Sequence, residues 1–192
     1  MRGMESSVLI SSERIAERVA QLGAEISRWA KASAAARAGV GGAGQSGAPL
    51  ALLWIADGAF IFAADLARSI DALMTVCSLR ASSYGAAVKS SGRVVFDADL
   101  SNFAGKKVLL VDDIFDAGRT LAEISAALRS AGVAELKTCV LLRKGLDGSR
   151  GGGYAAPDFV GFEIPDKFVF GYGLDYEYKF RNLRDIMSLE RV

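Results

Sequence analysis

Residues 107–121, KVLLVDDIFDAGRTL, constrain the fold more than any other stretch of the chain. Four consecutive apolar residues, Val108 to Val111, read as a buried strand. Three carboxylates, Asp112, Asp113 and Asp116, follow in a five-residue turn, and Ala117-Gly118-Arg119-Thr120 opens a helical pattern. A helix start presents unpaired backbone N–H groups and a positive dipole end, which suits a phosphate. The acids suit ribose hydroxyls, a divalent metal or a proton in transit. One element that carries both points to a sugar phosphate.

The rest of the chain alternates in the same way. Ile15, Val19, Leu22, Ile26 and Trp29 give residues 11–37 a helical period, with Ser11 or Ser12 as cap, and 38–49 is a Gly/Ala/Ser loop. From Leu50 onward strands are expected at 50–56, 73–83, about 93–97, 107–111 and 135–143, and helices at 60–72 and 119–131. The Asp57-Gly58 turn, the acid turn and the Lys144 turn each leave a strand at its C-terminal end. Such alternation specifies an α/β fold, an open, largely parallel sheet with flanking helices, whose ligands bind beyond those strand ends.

Composition removes several classes of function. A net charge of +1 implies no general attraction to nucleic acid or to an anionic membrane. The chain has no histidine, which excludes a His-based triad or a His metal site, and two cysteines make a structural zinc site improbable. Cys77 and Cys139, far apart in apolar runs, read as buried free thiols of a cytoplasmic protein. The first ten residues hold no run suited to a signal peptide, and Asp57 and Asp65 interrupt the most apolar region, so no membrane span is expected.

VLLVDDIFDAGRTL is similar to the phosphoribosyl-pyrophosphate motif of type I phosphoribosyltransferases. The segment 157–183, PDFVGFEIPDKFVFGYGLDYEYKFRNL, resembles the C-terminal part of the hypoxanthine-guanine subfamily, and RASSYG (80–85) resembles its mobile loop. The resemblance, which with GAFIFAADL (58–66) covers most of residues 50–183, implies a core over 50–145. A small hood would be built from the N-terminal segment (1–49) and the C-terminal purine-binding segment (146–192). It implies transfer of a phosphoribosyl group to hypoxanthine or guanine with Mg2+, in a cytoplasmic homodimer or homotetramer.

Residue by residue, the resemblance implies that Asp112 and Asp113 hold the ribose hydroxyls, directly or through magnesium, with Asp175 at a second magnesium. Asp116 would exchange a proton with the purine N7. Residues 116–120, including Ala117, Gly118, Arg119 and Thr120, would cradle the 5′-phosphate. Lys144 would donate to the purine O6, Phe168 would stack on the base, and the Val169 backbone would meet its 2-position edge. Asp57-Gly58 would form the pyrophosphate turn, Arg181 would contact pyrophosphate, and Ser83-Tyr84 would lie on a lid over 84–92 that excludes water.

Two positions depart from the family pattern. Asp57 stands where Lys or Arg usually precedes the Gly, and Ala117 where a hydroxyl often assists the phosphate. The loss of one neutral hydrogen bond costs about 0.5–1.5 kcal/mol. The acids alone would also fit a receiver domain or a solvated turn. Phe168 alone would read as core, and Lys144 and Arg181 alone as surface charges. A non-catalytic nucleotide sensor on the same scaffold, or the same reaction with xanthine, are the alternative functions.

Overall fold

The computed structural model of the chain describes residues 5–38, 48–82, 95–145 and 154–189. Its centre is a five-stranded sheet of order β3-β2-β6-β7-β8. The strands are β2 (Leu50–Ile55), β3 (Met74–Leu79), β6 (Lys107–Phe115), β7 (Glu135–Lys144) and β8 (Phe159–Ile164), and every pairing between them is parallel.

The period of two explains why the runs 50–55, 108–111 and 139–142 at the centre of the sheet are apolar throughout. Leu50, Leu52, Leu109, Val111, Cys139 and Leu141 face a core shared with α1 (Ser12–Ala38) and α2 (Phe60–Ser69). The alternate residues Ala51, Leu53, Val108, Leu110 and Val140 face a second core under α3 (Arg119–Ser130), filled by Leu121, Ile124 and Leu128. A sheet covered on both faces has no solvent side to place polar residues on. Each such aliphatic side chain contributes about 1.5–3 kcal/mol through its burial.

The α1 stripe expected from sequence is the face that packs, for Ile15, Val19, Leu22 and Ile26 are all buried. Gly23 lets α1 cross α2 closely, because a Cβ there would overlap the Ser69 backbone. Beneath the sheet Lys107 is buried yet compensated. Its ammonium lies over the Trp29 ring at 5.2 Å, bonds the Ala30 carbonyl at 3.2 Å and pairs with Glu135 at 3.6 Å.

Three local expectations change. Strand β6 does not stop at Val111 but runs to Phe115, so Asp112 and Asp113 lie on the strand and not in a turn. The β7 strand sustains the extension, pairing Asp112 with Val140, Ile114 with Leu142 and Phe115 with Arg143. The single strand expected over 73–83 is divided at Arg80, after which β4 (Ala81–Ser82) pairs antiparallel with β5 (Val95–Phe96), the described part of the strand expected near 93–97. Finally, β1 (Ser6–Ile10), β9 (Val169–Phe170) and β10 (Ile186–Leu189) form a three-stranded antiparallel sheet that joins the two terminal segments. The segment 84–92 lies outside the described residues.

Candidate active site

The site begins where one strand outlasts its neighbour. Pairing of β2 with β6 ends at Trp54 and Val111, whereas β7 accompanies β6 four residues further. On the open side of Asp112 and Asp113 the chain leaves β2 as the turn 56–59, with a cis peptide between Ala56 and Asp57. Gly58 then passes directly against Asp113. A Cβ at that position would overlap the Asp113 carboxylate.

The two acids are held in a costly state. Burial, reinforced by the neighbouring Asp113 charge, pushes the Asp112 carboxyl well above the ordinary carboxylate range. Burial also raises Asp113, against hydrogen bonds and the opposing pull of the Arg181 cation. Asp113 Oδ1 accepts from the Ile114 N–H at 2.8 Å, and Asp112 Oδ1 from the Asp113 N–H at 3.0 Å. Local backbone bonds thus fix both side chains while much of the desolvation cost remains.

Arg181 joins the C-terminal segment to this pair. It donates to the Gly173 carbonyl at 2.6 Å and pairs with Asp175 at 2.8 Å, while Gly173 itself sits against the Gly58 carbonyl. Gly173 has φ +100°, a conformation that favours glycine, and an added Cβ would strike that carbonyl. Tyr172 anchors the same segment to α2 through its hydroxyl, which donates to Asp65 at 2.6 Å. Burial, with the Asp65 bond as a second cause, raises the Tyr172 phenol above its ordinary value. Gly173 and Tyr172 had no separate place in the sequence reading; their only signal was the GYG tripeptide at 171–173.

After Phe115 the chain turns through half-buried Asp116 and exposed Ala117 to Gly118, whose φ of +78° begins α3 without a side-chain cap. The α3 N-terminus therefore offers its first N–H groups to a ligand. Arg119 and Thr120 are exposed, and the Arg119 side chain turns along the helix to Glu123 at 2.6 Å.

Lys144 ends β7 one residue beyond Arg143, the strand partner of Phe115, with its ammonium 3.5 Å from Asp166. Phe168 is 48% exposed and meets Tyr176 edge-on at 5.5 Å, while Val169 is buried in β9. A half-exposed ring on a packed support suits stacking more than core filling. Asp57, which stands where the family pattern has Lys or Arg, is paired with a cation, because Arg80, just after β3, lies 3.0 Å from its carboxylate. Ser83 and Tyr84 lie outside the described residues.

Among the described residues no three carboxylates converge as a ready metal cage. Asp112 and Asp113 fit a hard cation nonetheless. They are adjacent oxygen donors whose buried charges want compensation, and a magnesium ion commonly completes its shell with water and substrate oxygens.

A parallel sheet with acids at one strand end and an open helix N-terminus beyond them defines an α/β enzyme that handles a phosphorylated ligand. Residues 24–177 match the phosphoribosyl transferase domain model, and the chain belongs to that family. It is 40% identical over 195 residues to the hypoxanthine-guanine phosphoribosyltransferase of Aquifex aeolicus, covering 99% of this chain and 98% of that protein. The protein of the same name from Mycobacterium avium is 37% identical, with 96% and 85% covered. Among solved structures, a hypoxanthine-guanine phosphoribosyltransferase of Bacillus anthracis superposes with a TM-score of 0.78 at 34% identity, covering 96% of this chain and 98% of that one.

Proposed function

We propose that this chain is a purine salvage enzyme. It transfers the phosphoribosyl group of phosphoribosyl pyrophosphate to hypoxanthine or guanine, releasing pyrophosphate and IMP or GMP. The observation that carries the reading is the extension of β6 past β2, which leaves half-buried Asp112 and Asp113 without a β2 neighbour, beside Gly58, and leads through Asp116 into the uncapped α3 N-terminus.

In this reading Asp112 and Asp113 take the ribose hydroxyls, and residues 116–120 take the 5′-phosphate through backbone N–H groups. Arg181 reaches the pyrophosphate, and the Gly58 turn receives it through its backbone. Lys144 donates to O6, Phe168 stacks on the ring, and Val169 contributes backbone at the 2-position edge. Asp116 takes the proton from N7 as the purine attacks, a role worth about 10²–10⁴-fold. The reaction needs water kept from the oxocarbenium-like ribose, which water would otherwise capture. Magnesium at Asp112 and Asp113, and a second ion near Asp175, would neutralise the leaving group's charge.

A homodimer or homotetramer suits the position of β3 at the edge of the sheet among the described residues, where Val76 is 52% exposed and Leu73, just before the strand, 98%. Free Cys77 and Cys139 fit a reducing cytoplasm. Neither the sensor nor the xanthine alternative gains support from the relatives found.

Base choice is the test. Lys144 offers only donors, so it favours an O6 acceptor over the 6-amino group of adenine. Assayed with hypoxanthine, guanine, xanthine and adenine, the protein should turn over the first two and leave adenine nearly untouched. Comparable rates with adenine would contradict the role of Lys144.

A further inference from the structure

The Asp57–Arg80 pair joins the ends of β2 and β3, and the proposed roles give Arg80 no part. Asp57 directly precedes Gly58, the residue packed against Asp113, so it lies on the turn that the proposed reaction assigns to pyrophosphate. An unpaired carboxylate there would repel that group. Arg80 Nη2 lies 3.0 Å from Asp57 Oδ1, with the two side chains 68% and 61% exposed. An ion pair so open to water contributes little to stability.

The backbone of Arg80 is nonetheless fixed with care. Its N–H donates to Asp97 Oδ1 at 2.8 Å and its carbonyl accepts from the Asp97 N–H at 3.3 Å. The preceding Leu79 carbonyl takes the Ala56 N–H at 3.0 Å, which ties the end of β3 to the turn that carries Asp57. Among the described residues, Asp57 is the single side-chain partner of the guanidinium, through one of its three nitrogens. The side chain is 68% exposed, and its remaining N–H groups can donate to phosphate oxygens in pairs.

We propose that Arg80, held in place by Asp57 across the ends of β2 and β3, is a pyrophosphate-binding cation of this protein, and that Asp57 is its positioning residue. The inference rests on the phosphoribosyl-transfer reading. It makes Asp57, whose charge alone would repel pyrophosphate, the residue that orients the group that binds it.

Calorimetric titration of the full chain with pyrophosphate in the presence of Mg2+ tests it. Arg80→Ala should weaken pyrophosphate binding and raise the KM for phosphoribosyl pyrophosphate by about tenfold, while the KM for hypoxanthine and the melting temperature hold. Arg80→Lys should recover part of the loss. Arg80→Asp alone should weaken binding further, and the exchanged pair Asp57→Arg with Arg80→Asp should regain most of it, because the cation then returns on the turn itself. Wild-type affinity in Arg80→Ala, or an exchanged pair no better than Arg80→Asp, overturns the proposal. Nucleotide synthesis by the wild type in the same preparation judges the reaction separately, so loss of one reading is not mistaken for loss of the other.

Discussion

Asp112 shows how a single residue trades stability for function. Its carboxyl titrates above the ordinary carboxylate range because the charge is desolvated next to Asp113. The folded state therefore binds more protons than the unfolded chain between the ordinary value and the raised one. Stability from this group is greatest at acid pH and falls as pH rises through that window. Asp112→Asn should flatten this slope and stabilise the ligand-free protein at neutral pH, while weakening phosphoribosyl pyrophosphate binding. Urea unfolding at pH 5 and pH 7.5 checks the sign, and an equal slope in both proteins would contradict it. Asp116→Asn should act differently, lowering kcat by about 10–10³-fold with binding nearly intact, as single-turnover kinetics would report. The acids were legible in the sequence as a phosphate-side constellation. The Arg80 partner of Asp57 was not, because 23 residues separate them and only the parallel pairing of β2 with β3 brings them together.

At the scale of elements, the turn into α3 depends on Gly118. Its left-handed backbone costs an L-residue about 1–2 kcal/mol, and a Cβ would press on the Phe115 ring and Tyr154. Gly118→Ala should therefore destabilise the fold by about 1–3 kcal/mol and weaken nucleotide binding through the displaced helix start. Thermal melts with and without GMP measure both, and unchanged GMP affinity would separate the helix start from the phosphate. Strand and helix order was readable because each β2, β6 and β7 run is continuously apolar and each intervening helix has its own stripe. The length of β6 was not. Paired acids favour turns, so Asp112 and Asp113 read as a strand's end until β7 supplied a partner beyond them.

For the whole molecule, the two terminal segments act as one unit. Ser6 lies opposite Leu189, and β10 then pairs with β9, next to the Phe168 and Arg181 region. A five-residue and a four-residue strand carry almost no local signal, and their pairing across the full chain has none in sequence pattern. Ile186, the fully buried first residue of β10, tests the coupling. Ile186→Ala should cost about 2–5 kcal/mol in urea unfolding and weaken purine binding more than pyrophosphate binding. Equal losses for both ligands would mean that the terminal sheet supports the fold alone.

The most direct measurement of the central claim is product stoichiometry with hypoxanthine and phosphoribosyl pyrophosphate. Purified protein with Mg2+ should yield IMP and pyrophosphate in equal amounts, and withdrawal of the metal by a chelator or omission of the base should stop both. Pyrophosphate release without IMP, or no turnover with any purine at saturating Mg2+, would contradict the account.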